Sequence, residues 1–226
     1  MDGILLFDKP ILWTSHDAVD FIRRQSGQRE VGHAGTLDPL ATGLLVLLLG
    51  RATKRSNEFS GMDKDYFGTM TFGMSTDTLD MEGRILRSAD PGHLTPEAVR
   101  AAFAALVGET LQTTPQYSAV KRGGRKLYEM ARRGQTTEAL PVRTVTLSDF
   151  QLLDLHEAEA HFFLTCSKGT YVRALCDEAG RRLVCGAALS SLVRSRIGPY
   201  RLKDAAREEA VRDAGRAGLE GKLLAA

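Results

Sequence analysis

Residues 44–49, LLVLLL, closed by Gly50, constrain the fold of this chain more than any other stretch. A run with no polar position has no face to offer to water, so it must be covered on every side. Six residues fall far short of the ~20 that span a bilayer, so the cover has to come from the chain itself. The length favours a buried strand over a helix, although periodicity does not separate the two. A chain of 226 residues, 43% of them hydrophobic, can supply that core, which excludes disordered and collagen-like classes. Cys166, Cys176 and Cys185 are odd in number and lack C-x-x-C spacing, which predicts reduced thiols rather than a disulfide framework or a zinc site. Met1-Asp2-Gly3 does not resemble a signal peptide, and a soluble cytoplasmic protein is expected.

Other elements are predicted around the apolar run. Residues 15–25 read as a helix, with Thr14 and Asp17 at capping-box spacing and Val19 and Ile22 on one face. Thr95-Pro96-Glu97 opens the clearest helix, with Val99, Phe103 and Leu106 as its stripe and Gly108 as its stop. Residues 66–72, 143–153 and 159–167 have the Tyr, Phe, Thr and Val content of strands. Residues 171–183 read as a helix after the Ser167-Lys168-Gly169 turn, and residues 205–216 as a polar terminal helix. Consecutive strands with helices around them predict an α+β fold built on a mixed, largely antiparallel sheet with flanking helices. Residues 112–140, rich in glycine and charge, are expected to form a mobile insertion.

The formal charge of +2 conceals segregation. Between Tyr117 and Arg143, seven basic residues (Lys121, Arg122, Arg125, Lys126, Arg132, Arg133, Arg143) face Glu129 and Glu138, a balance of +5. Between Phe163 and Arg196 the balance is +4, which leaves −7 for the remainder. Either segment alone reads as a solvated face. Two of them, each interleaved with Tyr and Gly, point to a polyanion.

Residues 32–43, GHAGTLDPLATG, are the densest non-random stretch. Three glycines in twelve residues let backbone approach a ligand, and one carboxylate, Asp38, stands among neutral neighbours. No Gly-Lys-Ser/Thr follows, so this is not a phosphate-binding loop. On spacing alone Asp38 reads as the cap of a helix beginning at Pro39; the functional alternative is a lone acid/base or nucleophilic carboxylate. His156 and His161 are one residue too far apart for His-Glu-x-x-His, and no metal is assigned. Trp13 and the phenylalanines read as core, and Ser15 as a cap.

The ordered motifs resemble the TruB family of tRNA pseudouridine synthases. Residues 32–54, GHAGTLDPLATGLLVLLLGRATK, are similar to the family's catalytic motif, and Lys9-Pro10 with Thr14-Ser15 to its Lys-Pro-x-Gly-x-Thr-Ser. Asp63-Lys64-Asp65-Tyr66 resembles Asp-Lys-x-Tyr, and Thr76-Asp77-Thr78 with Asp80 and Gly83 resembles Thr-Asp-Thr-x-Asp-x-x-Gly. Tyr117-Ser118-Ala119-Val120-Lys121, Gly124, Tyr128 and Ala131-Arg132 are similar to the family's insertion. Residues 168–173, KGTYVR, and Leu192-Val193-Arg194 complete the series, in family order over about residues 7–200.

The resemblance implies a pseudouridine synthase catalytic domain over residues 1–205 that isomerises uridine 55 of the tRNA T-loop to pseudouridine without cofactor or metal. Asp38 is then the catalytic carboxylate, Tyr66 the aromatic residue packed on the target base, and Arg173 the ion-pair partner of Asp38. Tyr171 and Leu192 line the uracil pocket, and His33 enters the space that the flipped nucleotide vacates. Residues 112–143 supply a thumb on the T-arm, with Lys121, Arg122, Arg125, Lys126 and Arg132 as RNA contacts. A monomer is expected, with no membrane partner. Leu12 stands where the family usually has Gly, and Thr114 where it usually has Pro, which puts local loop geometry in question. Residues 206–226 leave room for a short helical tail but not for the PUA domain of many relatives, so a guide-RNA role is not expected.

The chemistry agrees with those roles. Uracil must leave the stack to be reached. Glycosidases need two carboxylates because they activate water; an isomerase that keeps the base must exclude water, so one carboxylate beside an apolar wall is sufficient. The rival readings are a base-releasing glycosylase and a non-catalytic RNA-binding or RNA-folding protein using the same basic face.

Overall fold

The computed structural model describes residues 1–118, 120–131, 135 and 140–225, and of Lys121, Arg122 and Lys126 the backbone alone. The chain begins with β1 (Gly3–Lys9), α1 (Ser15–Ser26), β2 (Val31–Ala34), β3 (Ala41–Leu49), α2 (Ser56–Gly61) and β4 (Lys64–Phe72). There follow β5 (Met74–Thr76), β6 (Ile85–Ser88), α3 (Pro96–Ala104), β7 (Gly108–Thr113), β8 (Lys121–Arg122), β9 (Arg125–Lys126) and α4 (Leu127–Ala131). The last elements are β10 (Val142–His156), β11 (Glu159–Cys166), α5 (Val172–Arg182), β12 (Ala187–Ile197), β13 (Tyr200–Arg201) and α6 (Glu208–Glu220). The chain divides into two units, residues 1–67 with 191–226 and residues 68–190, and β4 and β12 contribute residues to each.

In the first unit β3 pairs with three other strands, which decides for the apolar run the strand that its length favours. It pairs antiparallel with β1, from Gly3↔Leu49 to Lys9↔Gly43, and antiparallel with β2. Its first residues pair parallel with β12, Leu192↔Ala41 to Arg194↔Gly43, so the sheet is mixed. Every residue from 44 to 49 is fully buried. The period-2 alternation sends Leu45, Leu47 and Leu49 into one cluster with Phe7, Phe21, Ile22, Val211 and Leu219. Leu44, Val46 and Leu48 enter another with Ile4, Phe59 and Ile197. Helix α1 covers the first cluster, and its Thr14–Asp17 capping box is complete. Trp13 packs edge-on against Phe21 at 5.5 Å.

The terminal helix α6 begins three residues after its predicted start and ends four residues after its predicted end. Its Val211 and Leu219 are buried in the α1 cluster, so this polar-looking helix has an apolar stripe of its own. Phe21, Val211 and Leu219 join residues that lie almost at opposite ends of the chain, which only folding reveals.

In the second unit the strand order is β4–β11–β10–β7. Strands β10 and β11 form a long antiparallel pair with two register shifts, and β7 pairs antiparallel with β10. Helix α3 starts as predicted, with Thr95 Oγ1 accepting from the Ala98 amide at 3.2 Å. It ends before Gly108, which opens β7. Phe103 stacks on Phe150 with centroids 4.0 Å apart, and Phe162 meets both edge-on. Among the described residues no helix is long and apolar enough to cross a membrane.

Candidate active site

Asp38 does not cap a helix. The Ala41 amide donates to the Asp38 carbonyl at 3.0 Å, and the turn so closed leads straight into β3. Asp followed by Pro suits a turn as well as a cap, and pairing of β3 with three other strands decides between them.

The main chain around Asp38 is held at every carbonyl from residue 35 to residue 39. Arg194, fully buried on β12, donates from Nη2 to Gly35 O at 2.9 Å and from Nη1 to Thr36 O at 3.5 Å. Its Nε donates to Leu44 O at 2.8 Å. The buried Ser15 hydroxyl accepts from the Leu37 amide at 2.8 Å and donates to the Leu37 carbonyl at 3.2 Å. The Leu12 amide donates to Pro39 O at 2.9 Å. A turn whose five successive carbonyls each accept a hydrogen bond, among them bonds from the buried Arg194 and Ser15, has little freedom left in its main chain, which fixes the point from which the Asp38 side chain springs. Ser15 is therefore not a cap, as its position suggested: Thr14 caps α1, and Ser15 clamps the loop.

Gly43 is required here for a steric reason. It has φ of +96° and lies beside β12, where a Cβ would sit 2.5 Å from Arg194 O. That close approach brings β12 alongside the end of the turn, with Leu192 opposite Ala41. Leu192 and Tyr66 are both buried. The start of β4, which carries Tyr66, is pinned by Arg196, which donates from Nε and Nη2 to the two oxygens of Asp65 at 2.5 Å each. His33 lies on β2, opposite Leu47. Burial, and then the nearby Arg194 charge, push its pKa below the usual imidazole value. Its buried Nδ1 has no hydrogen-bond partner among the described residues.

The second unit holds Tyr171 and Arg173. Tyr171 is the N-cap residue of α5, and its backbone is clamped by Gln112. The Tyr171 amide donates to Gln112 Oε1 at 2.7 Å, and Gln112 Nε2 donates to Tyr171 O at 3.1 Å. The Arg143 guanidinium lies over the Tyr171 ring at 5.3 Å and that of Arg173 at 5.6 Å. Arg173 is no surface charge: it is 3% exposed and donates to Thr78 O at 3.0 Å and Tyr117 O at 2.6 Å. The Thr76–Gly83 motif it meets is a closed turn in which Thr78 Oγ1 donates to Asp80 Oδ1 at 2.5 Å. Thr114, the residue in place of the family's Pro, is buried and donates its amide to Pro141 O at 2.8 Å, a bond that proline lacks the N–H to make.

The excursion expected at 112–143 begins and ends in paired strand, Gln112↔Arg143 and Thr113↔Val142. Inside it, β8 and β9 form a hairpin across Gly123 and Gly124, both at positive φ as a two-residue hairpin turn requires. Its register sets Lys121 opposite Lys126 and Arg122 opposite Arg125. Arg132 and Arg133 lie outside the described residues.

Among the described residues no group of three or more His, Cys, Asp or Glu could hold a metal ion. His161 is engaged with Thr69 Oγ1 through Nδ1 at 3.0 Å. Burial raises the thiol pKa values of Cys176 and Cys185, which makes both poor nucleophiles.

A model of the TruB family pseudouridylate synthase N-terminal domain matches residues 23–172. The chain belongs to the TruB family. It is 43% identical over 211 residues to the tRNA pseudouridine synthase B of Opitutus terrae, covering 93% of this chain and 87% of that one. It is 45% identical to the protein of the same name from Syntrophotalea carbinolica, covering 93% and 69%. Among solved structures it superposes on a chain of a Cbf5-Nop10-Gar1 complex with a TM-score of 0.71 at 26% identity, covering 91% of this chain and 52% of that one. A chain of the archaeal box H/ACA sRNP Nop10-Cbf5 complex shares the fold, with a TM-score of 0.69 at 24% identity. This TruB family member thus spans about half the length of those two solved chains. Its mixed sheet with flanking helices is the fold that the motifs implied.

Sequence reasoning did not find Ser15, Arg194 and Gln112 as supports of the site. Each lay inside a quoted stretch, but their work is to bind main chain 22, 159 and 59 residues away. No local periodicity carries that information.

Proposed function

We propose that this TruB family chain is a tRNA pseudouridine synthase that converts uridine 55 of the T-loop, with Asp38 as its catalytic carboxylate. The observation that carries this reading is the turn at residues 35–39: a carboxylate on a backbone whose five carbonyls all accept hydrogen bonds, with Leu192 of β12 paired opposite Ala41 at its end. The reaction breaks the bond from uracil N1 to ribose C1′, turns the base, forms the bond from C5 to C1′ and, in net, moves the proton from C5 to N1. Atoms balance without water or cofactor. A fixed carboxylate acts as nucleophile or base without reorganising when the charge develops. The apolar Leu192 helps to keep out the water that would hydrolyse the broken bond.

Tyr66 is assigned to packing on the base, His33 to the gap left by the flipped nucleotide, and Tyr171 and Arg173 to the roles the family motif implies. A depressed imidazole pKa suits His33 for that gap, because a neutral ring enters a base stack at lower desolvation cost than a cation. The β8–β9 hairpin supports an RNA partner. Like charges directly opposite across a hairpin repel, and a phosphate backbone relieves that repulsion. Arg132 belongs to the same proposed contact set.

Asp38→Asn tests the assignment: unmodified tRNA is incubated with the protein and pseudouridine is mapped by carbodiimide. The variant is expected to bind tRNA and form no pseudouridine at position 55, with RNA mass unchanged in the wild-type reaction. Turnover by the variant removes Asp38 from the role, release of free uracil makes the protein a glycosylase, and a wild type that binds without modifying makes it an RNA-binding protein only.

A further inference from the structure

The loop joining β1 to α1 carries two large aliphatic side chains that its own chain does not cover. Ile11 is 57% exposed and Leu12 74%. The loop beneath them is rigid. Lys9, fully buried, donates from Nζ to Pro10 O at 2.9 Å and to Trp13 O at 2.5 Å, bracing the loop from within. The Leu12 amide docks the loop on Pro39, the residue after Asp38. Leu12 also has φ of +69°, a left-handed conformation that a leucine adopts only under strain. Glycine would remove the strain, and an exposed leucine gains no burial in return.

We propose that Ile11 and Leu12 form an apolar contact with the nucleobases flanking the target uridine, with Leu12 as a specificity-determining residue of this chain. The inference rests on the function proposed above. An RNA that presents a uridine to Asp38 brings the neighbouring nucleotides to the turn on which this loop is docked. Flipping one base exposes the apolar faces of the bases beside it, and aliphatic side chains cover such faces at unstacked steps. The loop suits bases rather than phosphates, because residues 10–14 carry no cation and Lys9, at the end of β1, is buried and turned onto backbone carbonyls.

The test uses Leu12→Asn, which tolerates the left-handed conformation, and Leu12→Gly, which relieves it. Affinity for unmodified tRNA is measured against salt, with thermal unfolding alongside. Both variants are expected to bind about five- to tenfold more weakly, as loss of one aliphatic contact implies, with the salt slope unchanged and Leu12→Gly unfolding no lower than wild type. Affinities within about twofold of wild type would overturn the proposal, as would a shallower salt slope, which marks a phosphate contact. A Leu12→Gly protein that unfolds at lower temperature would overturn it too, because the side chain would then be packed on its own chain. Pseudouridine formation by the wild type is assayed separately: its absence removes the functional reading, while the affinity comparison still decides whether Leu12 touches RNA.

Discussion

The turn at Asp38 and the β8–β9 hairpin are both short, glycine-containing and irregular in sequence, yet they are built on opposite principles. At the turn, each carbonyl from residue 35 to residue 39 has a donor, and two of those donors, Arg194 and Ser15, are buried. At the hairpin, four cationic residues are opposed in two like-charge pairs, with Arg125 exposed. The first region spends buried polar groups on holding one geometry, which chemistry at a single bond requires. The second sets like residues opposite each other along its backbone, an arrangement that a polyanion would relieve. Preorganisation and charge frustration thus divide the proposed catalysis and RNA binding between two segments.

That contrast can be broken most forcefully at Arg194. Arg194→Ala removes the donor to the buried Leu44 carbonyl and to the partly buried Gly35 and Thr36 carbonyls, opens a cavity beneath the turn, and should destabilise the protein by about 3–5 kcal/mol in urea unfolding. Stability within about 1 kcal/mol of wild type would mean that the turn holds itself.

The hairpin should answer in the opposite sense. Replacing Lys121, Arg122, Arg125 and Lys126 together by Ala should leave unfolding nearly unchanged, weaken tRNA binding by roughly ten- to a hundredfold and flatten its salt dependence. An unchanged slope removes the hairpin from the interface.

Ser15→Ala sharpens the comparison on a smaller scale. The Leu37 amide and carbonyl lose their shared partner, at a cost of about 2 kcal/mol. Melting indistinguishable from wild type would show that water replaces the hydroxyl.

The smallest effect expected is a pH dependence from His33. Its folded pKa lies below the unfolded value of about 6.5, so its contribution to stability is complete above that pH and is lost as pH falls through the folded value. His33→Gln should remove this part of the acid sensitivity. Parallel pH–stability curves for the two proteins would show that His33 gains its proton without cost.

Much of the framework was legible locally. The apolar run at 44–49 had to be covered, and its length favoured the strand it forms; Thr14 and Thr95 announced their helices, and the 143–153 and 159–167 patterns marked the strands β10 and β11. These signals come from neighbours within a few residues, where side-chain periodicity and capping act. The ordered motifs also carried the family. Misreading began where two structures share one local signal, as at Asp38-Pro39, which caps a helix or closes a turn equally well.

The sequence by itself determined that this chain has an apolar run that must be covered on every side, a segregated charge and one carboxylate in a glycine-rich motif. Tertiary structure alone decided that Arg194 and Ser15 hold that carboxylate's loop, that Gln112 clamps Tyr171, and that Leu12 sits strained and exposed against Pro39. The physical reason is range. Apolar burial patterns and caps are written in residues a turn apart, whereas a buried donor finds its carbonyl wherever the packed strands bring it, and no local pattern records that meeting.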